Sequence, residues 1–281
     1  MSVLARFTLQ EALRRRVFFV VALLTVAFLA LYGLGVWQAF KIVNDFGSGF
    51  GGVDPTIVTG ATMFGLSMFG TLFLGVVLAV FLTLGAIRGD AERGLLQPLL
   101  VRPVSRRTLL LSRLLASGGV SAAYVIAVYL VAMVETGVIG GWWPDQPLVP
   151  ALALGLGVII VCALSLGGSV MLASTANGIA IFMAFGAGLT AGLLGQVGRA
   201  LGSETLSNVA DVTSYALPFE ALYQAALNSL TADTVGFTRF ALQLGPLGGA
   251  REAGAGLWVW ALVYLGLVIA AALATFTRRD L

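Results

Sequence analysis

The sequence predicts an all-α membrane protein: six transmembrane helices, both termini cytoplasmic, one transmembrane domain over residues 1–281. Three observations predict it. First, 59% of the 281 residues are hydrophobic and only 10% are charged, where a soluble domain has about a quarter charged. Second, six stretches approach the length needed to cross a hydrocarbon core of about 30 Å, namely 17–39, 63–87, 114–139, 149–173, 178–195 and 257–276. Third, threading these spans from an inner N-terminus puts 12 of the 16 basic residues inside: Arg6, Arg14, Arg15, Arg16, Arg88, Arg93, Arg102, Arg106, Arg107, Arg113, Arg278 and Arg279. Trp37, Trp142, Trp143, Trp258 and Trp260 then all fall at outer ends of spans, where indole rings favour the headgroup layer.

The same counts exclude chemistry. There is no histidine and one cysteine, Cys162, so no metal site is expected from this chain alone. The only lysine, Lys41, stands in no G-x-x-x-x-G-K-[ST] motif, so any ATP must be bound by another subunit. No enzyme activity, no cofactor and no nucleic-acid partner is expected.

Along the chain, residues 2–16 form an amphipathic segment. Val3, Leu4, Phe7, Ala12 and Leu13 can share one helical face, with Arg6, Glu11, Arg14, Arg15 and Arg16 on or beside the other. Such an N-terminal helix would lie on the lipids of the inner leaflet. The first span is too long for the apolar core of a cleaved signal peptide. The outer loop 40–62 is rich in glycine and reads as a flexible linker.

The segment 88–113 between spans two and three alternates charge with Leu95, Leu96, Leu99 and Leu100. These leucines fit one side of a short helix ending before Pro103. Displayed in the cytoplasm, it is either a docking element for a partner protein or a basic anchor on anionic lipid.

The fifth span repeats small residues every four positions: Ala176, Ala180, Ala184, Gly188 and Gly192. This spacing permits close approach of another helix, from the same chain or a second copy. The outer segment 196–256 is too long for a plain turn. Ser203 is expected to cap a short helix over 205–212. Pro218, Phe219, Glu220, Leu222 and Tyr223 open an amphipathic helix over 218–230, expected at the outer membrane surface as interfacial packing or as an outer gate.

Polar residues within the spans are few. Glu135 reads as the only carboxylate inside a span, close enough to the outer interface to snorkel. Gln38, Thr71, Thr83, Ser165, Ser169 and Thr190 could line a cavity, although such hydroxyls commonly bond backbone carbonyls. The apolar spans suit an amphipathic or lipid-like substrate, or a mechanical role, better than a sugar or an ion.

Several motifs carry a family resemblance. Glu92, Gly94, Leu99-Leu100, Arg102-Pro103-Val104-Ser105-Arg106 and Arg113 resemble the cytoplasmic loop of type-2, exporter-like ABC transporter permeases. Residues 5–16 resemble the same family's N-terminus, 217–222 its outer helix, and Arg278-Arg279-Asp280-Leu281 its tail. Leu95 stands where a Thr is common and Arg113 where a Lys is common. Within the family, the chain resembles the permease of the nitrous-oxide-reductase maturation transporter. The lack of His argues against this subunit handling copper.

The resemblance implies a subunit that pairs with a second copy or a homologous permease and with two ABC ATP-binding subunits, which carry the ATP and Mg. Asp90, Glu92, Arg93, Gly94, Leu95, Leu96, Leu99, Leu100, Arg102 and Pro103 would form the coupling helix against the ATPase. The N-terminal helix would brace a second contact, and 174–177 a minor one. The implied location is a prokaryotic cytoplasmic membrane. The rival readings are a membrane scaffold or assembly factor and a secondary transporter without an ATPase partner. An intramembrane enzyme lacks catalytic equipment.

Overall fold

A computed structural model describes residues 16–46, 53–84, 105–236, 238 and 254–278. Among these residues all regular structure is helical. The helices are α1 (Arg16–Phe46), α2 (Pro55–Thr83), α3 (Arg106–Gly140), α4 (Leu148–Met171), α5 (Ser174–Leu201), α6 (Glu204–Ala216), α7 (Pro218–Ser229) and α8 (Ala255–Arg278). Six of them, α1 to α5 and α8, are long and apolar enough to cross a membrane.

The spans agree in number and order with the sequence expectation, and their ends move for local reasons. α2 starts eight residues before Met63, because Asp54 caps it and Pro55 opens it. The Asp54 carboxylate accepts from the Thr56 and Ile57 amides at 2.9 and 3.3 Å. α3 likewise starts at Arg106, with Ser105 accepting from the Thr108 amide at 3.2 Å. α3 stops at Gly141, whose φ of 68° ends the helix without steric cost. Ser203 precedes α6 as foreseen, but its side chain makes no capping bond. The expected inner loop 174–177 is instead the first turn of α5.

Side-chain contacts fix the helix directions. Thr25 meets Tyr124, Tyr32 meets Thr136 and Phe40 covers Gly140, so α1 and α3 run parallel. Phe28 packs on Gly70 and Val21 beside Leu78 and Leu82, so α1 and α2 run antiparallel. Ser117 contacts Cys162 while Tyr129 donates to the Pro147 carbonyl at 2.9 Å, so α3 and α4 run antiparallel.

Two helices are central. Two-thirds (67%) of the apolar windows of α2 and α4 are buried inside the protein, against 11% for α8. The core therefore runs along α4, with Val158, Ile160, Val161 and Leu166 packed among Val76, Val80 and Val125. Without a hydrophobic drive inside lipid, this centre is held by close packing at small residues.

Candidate functional site

Two polar knots lie along the α2–α4–α5 core, one at the end of α2 and one further along α5. The first lies where α2 ends. The hydroxyls of Thr83, the last residue of α2, and Ser165 of α4 are hydrogen-bonded at 2.6 Å. Asn177 of α5 donates through Nδ2 to the Ser165 carbonyl at 2.8 Å. Asn177 is fully buried and presses against Gly168, and its Oδ1 has no hydrogen-bond partner. Three helices thus meet at one joint, directly before the segment 85–104.

The second knot is built by α6 and α7. α6 begins at the far end of α5, where Leu206 and Ser207 crowd Gly198. It then descends along α5 until Leu217 reaches Gly188. Gly188 lies 13 residues before Leu201 and 14 after Ser174, at the middle of α5. Pro218 turns the chain, and α7 climbs back until the Asp145 amide donates to the Leu230 carbonyl at 3.2 Å. The pair is a re-entrant hairpin whose tip sits at mid-helix level. This corrects the expectation of a helix on the outer surface. Its residues are buried almost throughout, including Phe219, Glu220, Leu222 and Gln224, so the polar residues of this helix do not form a solvated face.

The tip is received by glycines. A Cβ on Gly188 would stand 2.9 Å from the Phe219 ring, and one on Gly192 would collide with Glu220 Oε1. A Cβ on Gly157 of α4 would meet the Phe219 backbone at 3.8 Å. Phe219 stacks on Phe185 with centroids 5.6 Å apart, and Phe185 packs on Phe73 of α2 at 6.3 Å. The small-residue stripe of α5 therefore takes its partner from the same chain at Gly188 and Gly192. Ala184 is half-buried and Ala180 is exposed.

Beside this stack Gln224 Nε2 donates to Glu220 Oε1 at 2.9 Å, and Gln224 Oε1 has no partner. Glu220 is 4% exposed and stands level with Gly192, nine residues or about 13 Å inside the end of α5. Glu135 is thus not the only carboxylate at membrane depth. Tyr223 donates to the Gly65 carbonyl of α2 at 3.3 Å. Trp260 of α8 donates to the Tyr215 carbonyl at 3.1 Å.

Of the residues singled out from sequence, the coupling set Asp90, Glu92, Arg93, Gly94, Leu95, Leu96, Leu99, Leu100, Arg102 and Pro103 lies outside the described residues. So do Arg6, Glu11, Arg14 and Arg15; Arg16 opens α1. Pro218, Phe219, Glu220, Leu222 and Tyr223 are brought together with Gly188 and Gly192. Gly157 and Gln224 were not foreseen, and Asn177 was expected only within a minor ATPase contact at 174–177. Gln224 had a signal, since an amide four residues after Glu220 shares its helical face.

Six apolar spans packed with the α6–α7 pair define a multi-pass membrane protein. The chain matches the ABC-2 family transporter protein over residues 3–281 and belongs to that family. It is an ABC transporter permease of the integral membrane kind. No curated protein matches it.

Proposed function

We propose that this chain couples ATP hydrolysis by a separate ABC ATP-binding subunit to substrate export across a prokaryotic cytoplasmic membrane. Two permeases, identical or homologous, would flank one pathway above two ATPases. The segment 85–104 would be the coupling element, its leucines seated in the ATPase and Glu92, Arg93 and Arg102 paired with charges around the groove. The N-terminal helix, with Arg6, Glu11 and Arg14 to Arg16, would brace it on the inner leaflet. Both termini would then be cytoplasmic, as the arginine distribution favours. Kinship with the nitrous-oxide-reductase maturation permease belongs to the same proposal and rests on the motifs alone.

The observation that carries this reading is the Thr83–Ser165–Asn177 joint. It ties the end of α2, where the chain enters 85–104, to α4 and α5. α4 and α5 in turn carry Gly157, Gly188 and Gly192, which hold the re-entrant tip. A push on the segment would be delivered through two rigid helices to the tip, and the tip would act as the outer gate. The apolar walls around it, Phe73, Phe185 and Phe219, suit an amphipathic substrate.

The test is co-purification with the cognate ATPase. Leu96→Asp and Leu99→Asp are expected to insert normally and to lose the ATPase. Normal recovery of the ATPase by both variants would remove the coupling assignment.

A further inference from the structure

The two arms of the re-entrant pair belong to different partners. α6 packs along α5 and α7 packs along α4, while α6 and α7 touch each other far less than either touches its own helix. α4 and α5 are joined through Leu172 and Ala173 alone, yet they too touch little. α5 meets α7 and α2 just as thinly. A seam therefore separates α5 and α6 from α4, α7 and the helices packed on α4.

Most contacts across this seam are of one kind, a single side chain laid on a glycine. Leu84 lies on Gly178, Phe219 on Gly188 and Glu220 on Gly192, and from the α5 side Asn177 lies on Gly168 of α4. Aromatic rings add the rest: Phe185 meets Phe219 and Phe73, and Tyr215 meets Trp260 of α8. A backbone without Cβ atoms offers no ridge for the opposing side chain to lock behind. Packed helices with such a boundary can slide by small shear steps.

The chain crosses the seam twice, and both crossings interrupt the helical ladder. Leu172 is extended, with φ −105° and ψ 152°. Leu217, with φ −130° and ψ 72°, is the single residue between α6 and α7. Pro218 follows it and has no N–H to carry the ladder onward. Rotations between rigid parts are absorbed at a few such element-terminal residues.

We infer that α5 and α6 form one rigid body that slides against α4 and α7 about the links at Leu172–Ala173 and at Leu217. The tip opens because its two arms ride on different bodies. The moving part is α6 carried by α5, while α7 stays with the core. The use of this motion for gating rests on the coupling reading above; the seam itself does not.

The experiment measures distances between paired nitroxide labels by double electron–electron resonance, in a Cys162→Ala background. Met183, Val209, Leu152 and Leu115 are exposed, so labels there leave the core intact. Met183→Cys with Val209→Cys reports within the α5–α6 body, and Leu115→Cys with Leu152→Cys within the core. Leu152→Cys paired with Met183→Cys or with Val209→Cys reports across the seam. The full-length protein, diluted with unlabelled copies, is measured alone and in complex with the cognate ATPase, without nucleotide and with ATP plus vanadate. Both within-body distances should be narrow and unchanged throughout. Both cross-seam distances should be broader in the permease alone and shift by about 2 Å or more on trapping with ATP, the upper end of helix shifts at packed interfaces. A Met183–Val209 distance that varies as much as the cross-seam pairs overturns the proposal. So do four equally narrow distances that do not move in the complex. Broad cross-seam distances that ignore ATP uphold the seam and remove the coupling reading instead.

Discussion

The ring of Phe219 lies across Gly188, 2.9 Å from where a Cβ on that glycine would stand. The tip of the re-entrant pair is thus seated by the absence of a side chain at the middle of α5. Two glycines only two residues apart should respond oppositely to the same substitution. Gly188→Ala forces the aromatic stack apart, and overpacking of this kind costs about 1–3 kcal/mol. Gly186 has nothing within 4 Å of its Cβ position. Gly186→Ala should be neutral or stabilise by up to about 1 kcal/mol, because alanine is the better helix former. Thermal unfolding in detergent should shift down for the first variant and not for the second. The same direction for both would remove the seat from the description.

Glu220 and Gln224 share one hydrogen bond in a buried setting, so their substitutions should not add. Glu220→Leu leaves the Gln224 amide without its acceptor, at a cost of about 1–3 kcal/mol. Gln224→Leu takes one donor away from the buried carboxylate and should cost a similar amount. The double variant removes both polar groups together. It should be more stable than the sum of the singles by about 0.5–3 kcal/mol, the range for residues in direct contact. A cycle measured by urea or thermal unfolding that closes to additivity would show that the pair is not coupled.

The α3–α4 connection is stitched to the chain after α7 by exposed bonds, and these should matter less. Asp145 accepts from the Asp233 amide at 2.9 Å, tying the α3–α4 connection to the chain after α7. Asp145→Ala should cost about 0.5–1.5 kcal/mol. Limited proteolysis should then cut sooner near Asp233, while the core helices keep their protection.

Span number and order were legible because each span is a long apolar run, and all of the chain's charges except Glu135 fall between the runs. Pro218 and the apolar spacing after it marked α7 almost to the residue. Its depth was not legible. Amphipathic periodicity tells which residues share a face, and it does not tell whether the partner is lipid, water or another helix. The apolar spacing alone reads as a face laid on the outer membrane surface. The partners that bury it, Gly188 and Gly192, were visible as a stripe, but spacing carries no information on what fills the stripe. The joint at Thr83 was invisible for a related reason. Back-bonding to Ala79 and Val80 is what any membrane threonine does, and Ser169 and Thr190 do only that. The bond to Ser165 depends on helix register alone.

That joint carries the last prediction. If α2 drives α4 and α5 through Thr83, Ser165 and Asn177, breaking it should disconnect the ATPase from the tip without detaching the ATPase. Leu217 reports on the tip, since its Cδ1 lies 3.6 Å from the Cβ position of Gly188. Cys162 is buried, so Cys162→Ala gives a background free of other thiols. In that background Leu217→Cys should be labelled by a thiol reagent at a rate that changes when ATP is added to the complex. Thr83→Val combined with Ser165→Ala removes both hydroxyls at little change in volume. The ATP-dependent change should shrink by about two- to thirty-fold, the range corresponding to a loss of 0.5–2 kcal/mol of coupling. Co-purification with the ATPase should stay normal, which separates this defect from that of Leu96→Asp. Asn177→Ala should act in the same direction, because it frees the Ser165 carbonyl from α5. A full ATP response in the Thr83/Ser165 double variant would mean that motion reaches the tip by another route, with Gly75 and Val125 the next contact of α2 to test.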